Sequence, residues 1–581
     1  PEGNACAQEK GMHWIWRMKR ALSVALVTGV VLTVSGCGTS SGSSPSVTKV
    51  PAHTGAANTL NWWANYGADW PDSLDPAVGT NSLAVGTEYL VDANLVKFSY
   101  PSLKIVGDLS SKWTVSDGGR VYSFTIRPNA RFSNGDPVTA ADAAWSITRA
   151  LLPATKSQVA GIYLNHIKGA ASVMSGRAKA LSGIKVLGHK TIQLTLNKPV
   201  AYFLAALANN TGDVLDERVM QGKPVGTFLT NDCSGNVGAG PFKFVCRNDS
   251  TSRTSFYPAG HSPYMDLVPN PNYYGAKPKI RIHAPIFATS DAVFKAYQAG
   301  ELDGATLPSS GLTVARAMKG FINVPQFETD FITPNAQIPP FNNLHCRLAV
   351  AYAIDRENIT RTVLHNAYSP LYDVVPPGIL GYFGKEPDVP SYDPARARRE
   401  LAQCPGRLQH VTMTAQNDST DILREYDAIS NNLQKIGAHV AIKSVNFSAW
   451  LNVVTQNLNV TKSQERITEN LWVDDFPDPQ DWLTNQLRST ATDNIGGFKS
   501  NQFDQLVDRA DVEPNRAVRS KLYAQAAKIA LRGGYWISVG AVDGLYVISP
   551  RVHGLVAANG WTWPINNDWS KVTISKTQAL T

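Results

Sequence analysis

The chain has 581 residues, more than one hydrophobic core can organise, because single cores stop growing at roughly 250–300 residues; we therefore expect several domains or lobes. Hydrophobic residues make up 43% and charged residues 17%, which excludes a disordered chain, a coiled coil and a collagen-like chain. The formal charge of +8 comes from 54 Lys and Arg against 46 Asp and Glu. These bases form no basic runs, so we expect no nucleic-acid partner.

Residues 1–36 are predicted to consist of upstream sequence and a signal peptide, and both are absent from the mature protein. Arg17, Lys19 and Arg20 form a positive cluster, and an apolar run from Ala21 to Val34 follows it. This run is shorter than the roughly 20 apolar residues that a transmembrane helix needs, and small residues come after it, as they do in secretory signals. We therefore expect an exported protein.

Cys37 is the predicted site of lipid attachment. The tetrad VSGC that ends at this residue resembles the bacterial lipobox, in which the Cys is diacylated and becomes the first residue of the mature protein. Residues 38–56 are rich in Ser, Gly, Thr, Val and Pro and show no helical or strand periodicity. Residues 37–56 are therefore expected to form a lipid anchor with a flexible tether. The alternative is a cleaved signal that releases the protein freely.

Strand and helix patterns interleave along the rest of the chain, which favours an α/β fold with mixed sheets. Apolar and polar residues alternate over 122–126 and again over 192–196, which predicts two half-buried strands. Thr139, with Asp142 three residues later, predicts a capping box that opens a helix running through Leu151.

Two further helices are predicted from their ends. Ser290 is expected to cap a helix that Gly300 ends. The Ala-rich stretch 515–531 places Leu522 and Ala526 on one face and is followed by a Gly-Gly pair, so it predicts a helix with one buried side.

Cysteine use agrees with export. An even number of cysteines remains after Cys6 and Cys37 are set aside, which predicts disulfides in an oxidising compartment. Three pairings of the remaining four are open. We favour the pairing of cysteines that are close in sequence, because the first loop that it closes contains three glycines and can form a hairpin-like excursion. A zinc site is disfavoured because no CxxC is present. The favoured pairs are Cys233–Cys246 and Cys346–Cys404.

The sequence carries no recognisable catalytic motif. It lacks HExxH, the G-x-x-x-x-G-K-[ST] phosphate loop and the G-x-G-x-x-G dinucleotide loop. One G-x-S-x-G string begins at Gly38, but it lies in the expected tether, with no strand before it and no helix after it. The 11 His residues are dispersed, with none at i,i+4 spacing. We therefore expect a binding protein with no catalytic residues, no metal and no cofactor.

Seven short motifs follow one another along the chain. The first two are WPDSLDP at 70–76 and a longer segment at 132–150 that begins FSNGDPVTAAD. The others are GAGPF at 238–242, PNPNYY at 269–274, AGELD at 299–303, AIDR at 353–356 and WVDDFPDP at 472–479. In this order they resemble the extracytoplasmic solute-binding proteins of bacterial peptide and nickel ABC importers. Each motif is weak alone, but chance matches would not keep the family's order over about 450 residues.

The resemblance implies a two-lobed clamp of the type II periplasmic-binding-protein kind with an additional inserted domain. Lobe one would combine residues 57–94, 215–310 and 536–581. The inserted domain would cover 95–214, and lobe two would cover 311–535. The ligand would lie between the lobes and be enclosed when they close.

The resemblance also implies a binding residue. In the family, the Asp of a W-x-a-D motif pairs with the charged amino end of a peptide, and the match lands on Asp475, three residues after Trp472. Asp474 is an adjacent competitor for this role. Without the resemblance, Asp475 is better explained as a turn residue before Pro477, and Trp472 as a core residue.

The resemblance thus implies a lipid-anchored receptor on the outer face of the cell membrane. It would capture di- or oligopeptides as a monomer and deliver them to an ABC permease. Two alternatives stay open. The same fold could bind haem, a nickel chelate or another non-peptide ligand, or the chain could be an exported hydrolase or chaperone, for which the sequence offers no nucleophile or metal set.

Overall fold

The structure is a computed structural model, and several predicted features lie outside the residues that it describes. These features are the signal peptide, Cys37 with its tether, and the pair Cys233 and Cys246. Within the described ranges, no helix is long and apolar enough to cross a membrane. The described residues are 58–63, 73–80, 82–223, 237–245, 264–287, 289–417, 419–446, 449–450, 452–453, 466–556 and 568–575.

Strands and helices interleave from the beginning of the described chain to its end. The strands are β1 Thr59–Asn61, β2 Val96–Ser99, β3 Lys104–Gly107, β4 Ser110–Ser116, β5 Val121–Ile126, β6 Ile184–Gly188, β7 Thr191–Thr195, β8 Phe242–Phe244, β9 Tyr264–Pro269, β10 Arg281–Pro285, β11 Gly304–Thr306, β12 Phe321–Pro334, β13 Tyr368–Pro370, β14 Val411–Gln416, β15 Val440–Val445, β16 Ile467–Val473, β17 Ile537–Ile548, β18 Val552–His553 and β19 Thr573–Ile574.

The longer helices are also numbered in chain order. Short helical turns, which are not numbered, connect several elements. The longer helices are α1 Ser82–Val91, α2 Ala140–Leu151, α3 Ser290–Gln298, α4 Leu344–Ala353, α5 Pro394–Gln403, α6 Thr420–Ile436, α7 Gln480–Leu487, α8 Asn501–Val512 and α9 Arg516–Arg532. The turns are Ala160–Tyr163, Ala170–Met174, Phe203–Leu207, Glu217–Met220, Leu312–Ala315, Arg356–Asn358 and Ile359–Val363.

The described strands assemble into one large mixed sheet, two four-stranded sheets and two short pairs. The large sheet has the order β11-β17-β12-β16-β14-β15, with β13 added to β17. Its pairs are antiparallel except that β14 runs parallel to both β15 and β16. The smaller sheets have the orders β1-β10-β9-β8 and β4-β5-β7-β6, and the two short pairs are β2-β3 and β18-β19. The predicted α/β class with mixed sheets is therefore confirmed.

The large sheet is buried on both faces. Consecutive residues of a strand point to opposite faces, so Phe331 and Ile332 on β12 belong to different hydrophobic cores. We call these the first and third cores. The first core is continuous with the small sheet that contains β1, whereas the third core lies among the C-terminal helices α7, α8 and α9.

A second core is built mainly from residues between 93 and 214. It packs the antiparallel sheet β4-β5-β7-β6 against α2, and three of its members come from elsewhere in the chain: Ala77, Ala239 and Phe476. The inserted domain was predicted to cover 95–214. That boundary stays a prediction, but these residues do share one core with few outside members.

Local sequence signals account for several of these elements. The predicted strands correspond to β5 and β7, whose side chains alternate between buried and half-exposed positions. The capping box of α2 is present, because Thr139 Oγ1 accepts the Asp142 N–H at 3.1 Å and Asp142 Oδ2 accepts the Thr139 N–H at 2.7 Å. The predicted cap of α3 is wrong by one residue. Thr289 is the residue whose hydroxyl accepts an N–H of the first turn, and Ser290 is the first helical residue.

One disulfide links two helices that pack together. Cys346, in the first turn of α4, is bonded to Cys404, which directly follows α5, and the two cysteines are 58 residues apart. This is one of the two favoured cysteine pairs.

A buried ion pair joins the beginning of the described chain to its end. Arg551 Nη2 donates to Asp303 Oδ2 at 2.7 Å and to the carbonyl oxygen of Thr59 at 3.3 Å. Asp303 Oδ2 also accepts the N–H of Asn61 at 2.8 Å. Strand β1 is therefore fixed both by its parallel partner β10 and by a side chain from near the C-terminus.

Candidate functional site

The predicted binding residues lie in the segment 472–481, which connects the large sheet to helix α7. Strand β16 runs antiparallel to β12, with Trp472 opposite Thr329, and ends at Val473. The N–H of Asp474 then donates to the carbonyl oxygen of Phe327 at 3.0 Å, which keeps the chain beside β12 after the strand ends. The segment is thus held at both ends by regular secondary structure.

Asp481, in the first turn of α7, is the hydrogen-bonding centre of this segment. Its Oδ2 accepts the indole N–H of Trp472 at 3.0 Å and the backbone N–H of Asp475 at 2.9 Å. Its Oδ1 accepts from Asn485 Nδ2 at 3.2 Å. Burial raises the pKa of Asp481 well above its usual range, and the nearby Asp475 carboxylate adds to this rise. Asp481 therefore fixes both predicted residues in place.

Asp475 joins the segment to the second core. The Tyr163 hydroxyl donates to Asp475 Oδ2, and Asn209 Nδ2 lies 3.4 Å from the Asp475 carbonyl oxygen. Burial raises the pKa of Asp475 to about 7, with a further contribution from the charge of Asp493. The carboxylate is therefore contacted by a tyrosine of the second core and is poorly solvated in its charged form.

Phe476 anchors the same connection. Its ring meets that of Tyr163 edge-on at 5.6 Å and stacks on that of Tyr202 at 6.0 Å between centroids. The ring is buried within the second core, although its neighbours along the chain belong to the large sheet and to α7. Aromatic pairs at these separations contribute about 0.5–1.5 kcal/mol each beyond the area that they bury.

Asp474 and Asp475 differ in their surroundings. Asp474 is 6% exposed, and burial raises its pKa to about 8, with a contribution from Glu328 on β12. Asp475 is only partly buried by its exposed area and has the tyrosine contact described above. Of the two neighbours, Asp475 is thus the carboxylate that solvent and a ligand can reach more readily.

A second set of polar contacts lies beside this connection. Arg519 on α9 donates two hydrogen bonds of 2.6 Å to the carboxylate of Asp478, and its guanidinium lies 5.8 Å from the ring centroid of Tyr202. The N–H of Ala201 donates to the carbonyl oxygen of Asp511 at 2.8 Å. The C-terminal helices therefore also contact the second core directly.

The sequence predicted Trp472, Asp474 and Asp475 as binding residues, and it did not predict the groups that contact them. Asp481 had a detectable signal, because an acid in the first turn of a helix is favoured and this one lies in the same short stretch. Tyr163 had none, because it is 312 residues from Asp475 in the chain. Among the described residues, no group of three or more His, Cys, Asp or Glu side chains is arranged to hold a metal ion.

Comparison with known proteins identifies the family. Residues 104–494 match the family described as "Bacterial extracellular solute-binding proteins, family 5 Middle". The Dipeptide-binding protein DppE of Bacillus subtilis is 25% identical over 93% of this chain and 97% of its own. Heme-binding protein A of Haemophilus influenzae is 27% identical, also over 93% of this chain and 97% of its own.

The fold is also found among solved structures. The murein tripeptide binding protein MppA of Escherichia coli superposes with a TM-score of 0.74 at 21% identity, covering 90% of this chain and 100% of that one. The predicted two-lobed fold and the predicted resemblance are therefore confirmed. The chain belongs to family 5 of the bacterial extracellular solute-binding proteins.

Proposed function

We propose that the protein captures di- or oligopeptides and that the Asp475 carboxylate pairs with the charged amino end of the peptide. The observation that carries this proposal is the position of Asp475, fixed through its backbone by Asp481 and contacted by Tyr163 from another core. No Lys, Arg or His of the described residues forms an ion pair with Asp475, and burial raises its pKa. A peptide ammonium supplies a positive charge and forms a charge-assisted hydrogen bond.

The neighbouring residues have supporting roles in this proposal. Tyr163 donates to the carboxylate and keeps it oriented, while Trp472, with its N–H bound by Asp481, offers a fixed apolar wall. The rest of an extended peptide is held by backbone hydrogen bonds to strand edges, and its side chains enter hydrated pockets that tolerate varied sequences. The protein binds and releases its ligand unchanged, in line with the absence of a catalytic motif in the sequence.

We further propose that the chain works as a monomer, anchored to the outer face of the cell membrane through Cys37, and delivers peptides to an ABC permease. The lipobox-like tetrad and the tether composition support the anchor, and the family description supports an exported protein. Its lobes would be 57–94 with 215–310 and 536–581, and 311–535, with 95–214 inserted. The second disulfide of this arrangement would be Cys233–Cys246.

Replacing Asp475 tests the proposed contact. Asp475→Ala should weaken binding of tri-alanine about 30-fold or more, because the loss of one partner of a buried charged pair costs at least about 2 kcal/mol. The same variant should leave binding of amino-acetylated tri-alanine nearly unchanged, since that peptide has no ammonium group. Isothermal titration calorimetry measures both.

Asp474→Ala is the matched control for this experiment. It should not change the ratio of the two affinities, because Asp474 is buried beside Glu328 and has no role in the proposed pair. An equal loss for both peptides in Asp475→Ala would contradict the assignment, and a selective loss in Asp474→Ala would transfer the role to that residue.

A second candidate ligand is haem. It is favoured by the relative named Heme-binding protein A, which matches this chain along nearly its whole length. Titration with haem, followed by its absorbance, distinguishes the two candidates. Saturable haem binding that tri-alanine does not displace would replace the peptide proposal, whereas tri-alanine binding without haem binding supports it.

A further inference from the structure

A cavity of about 60 Å³ lies between helix α1, strand β2 and the 273–274 turn. None of its lining residues belongs to the segment 472–481. Roughly 10–15 Å³ is enough for one water molecule, so the volume admits a group of a few non-hydrogen atoms. The lining residues that matter here are three carboxylic acids and three tyrosines: Asp92, Asp108, Asp213, Tyr89, Tyr100 and Tyr274. We call this space the Asp213 cavity.

The Asp213 cavity has an excess of carboxyl groups. Lys97 Nζ lies 2.8 Å from Asp108, and the Tyr274 hydroxyl also donates to Asp108. Across the described ranges, by contrast, no Lys or Arg forms an ion pair with Asp92 or Asp213. Both of these residues are more than nine-tenths buried, and Asp213 Oδ2 has no hydrogen-bond partner. The cavity therefore contains an acceptor that nothing in the described chain satisfies.

Burial favours the protonated forms of Asp92 and Asp213, and a bound cation would favour their ionised forms. Burial raises the pKa of Asp92 to about 8, with a contribution from Asp75, whose own charge is paired with Arg149 at 2.9 Å. Burial also raises the pKa of Asp213 well above its usual range, and the Asp92 charge adds to the rise. The other titratable groups that surround the two acids are Glu88, Tyr89, Lys97, Tyr100, Asp108, Tyr273 and Tyr274.

We propose that the Asp213 cavity binds an ammonium group carried on a short alkyl chain, with Asp213 and Asp92 as its acceptors. Carboxylates that lack a counter-charge accept charge-assisted hydrogen bonds from N–H donors. Aromatic walls attract the same cation through the faces of their rings. A site that combines buried carboxylates with tyrosine rings thus suits an alkylammonium group.

The ammonium group has two sources with the same chemistry, a free small amine or the lysine side chain of a bound peptide. The second source rests on the proposed peptide-binding function. It is supported by position, because Ala208 lines the cavity and the next residue, Asn209, contacts the Asp475 carbonyl oxygen. In addition, the charges of Asp213 and Asp475 both raise the pKa of Tyr89, a lining residue. The cavity therefore adjoins the proposed peptide site.

Thermal unfolding of the full chain tests the free-amine source. Ethylammonium chloride should raise the melting temperature more than equimolar sodium chloride, and more at about pH 8.5 than at about pH 6, because cation binding requires ionised carboxylates. Asp213→Asn should abolish this difference, and Asp92→Asn is a second variant with the same expectation. Asp330→Asn, which changes a carboxyl group buried in the large sheet, is the matched control and should respond like the wild type.

Calorimetry with peptides tests the lysine source. Tripeptides with lysine should bind about tenfold more tightly than those with norleucine at the matching position, and Asp213→Asn should remove this preference. Tri-alanine serves as the reference for peptide binding itself, so a failure of the proposed function appears as a loss of tri-alanine binding in the wild type. A positive result in either arm that disappears in Asp213→Asn supports the proposal. It is overturned if both arms show no preference for the ammonium group, or if Asp213→Asn behaves like the wild type.

Discussion

At the scale of single residues, several buried carboxyl groups of the described chain have no positive partner. Asp330 lies on the central strand β12 and Glu425 on helix α6, and neither is exposed. None of the four oxygens of the two groups has hydrogen-bond geometry with another group of the described chain, although the two carboxyl groups interact with each other. Burial raises the pKa of Glu425 to about 8 and that of Asp330 well above its usual range, and the Glu425 charge adds to the rise at Asp330. Both groups therefore favour the protonated form.

This pair predicts a stability that falls as pH rises. An acid with a raised pKa in the folded state holds its proton more tightly there than in the unfolded chain. The free energy of unfolding therefore falls as the pH rises from the ordinary pKa of 4.5 to the folded-state pKa of about 8. Glu425→Gln cannot ionise. Over this pH range, the unfolding free energy of the variant should fall by about 1–3 kcal/mol less than that of the wild type.

Urea denaturation at the two ends of that pH range measures the difference. Glu301→Gln, which changes an exposed glutamate, is the control and should follow the wild type. Parallel pH profiles for the wild type and Glu425→Gln would contradict the assignment of an unfavourable charge to this pair.

At the scale of elements, the disulfide between Cys346 and Cys404 constrains a long connection. It closes a loop of 58 residues that contains strand β13 and extended chain between helices α4 and α5. Closing such a loop in the unfolded chain removes conformational entropy, which stabilises the fold by up to about 4 kcal/mol. The helices already pack together, so the bond adds to an existing interface.

Replacing both cysteines by alanine should therefore lower the unfolding free energy by about 2–4 kcal/mol. Denaturant titration of the wild type, the wild type with reductant and the double variant measures this loss. With reductant present, the wild type and the double variant should agree with each other, because the proposed Cys233–Cys246 disulfide is then open in both. Equal stability of the oxidised and reduced proteins would show that the bond contributes nothing.

The individual elements also show how much of the fold can be predicted from the sequence alone. Short-range signals predicted β5, β7 and the capping box of α2, because alternation and capping depend on residues only a few positions apart. The cap of α3 was misplaced because Thr289 and Ser290 are both good caps and sequence does not distinguish them. Contacts such as Tyr163 with Asp475 depend on the path of the whole chain, and no local pattern encodes them.

At the scale of the whole molecule, ligand binding should change the shape of the protein as well as its stability. Phe476 connects the end of the large sheet to the second core, so a ligand beside Asp475 acts where separate parts of the molecule meet. Tri-alanine at about 100 times its dissociation constant should stabilise the fold by about 2.7 kcal/mol. Closure of a clamp should also reduce its radius of gyration.

Small-angle scattering and thermal unfolding test this pair of expectations together. A smaller radius with a higher melting temperature agrees with a hinged clamp. A higher melting temperature with an unchanged radius would mean that the protein binds peptide as a rigid body. Asp475→Ala should show smaller changes at the same peptide concentration, because an affinity about 30-fold weaker lowers the stabilisation to about 0.9 kcal/mol.

The link between Arg551 and Thr59 has a consequence for the timing of folding. These residues are 492 positions apart, so the first strand gains its final partners only after almost the entire chain is available. Contacts so distant in sequence slow folding, because a large loop must close before they form. A chain that cannot complete its fold while its last part is still being synthesised stays unfolded for longer. For the exported protein proposed above, such a delay would favour passage through a membrane channel before folding.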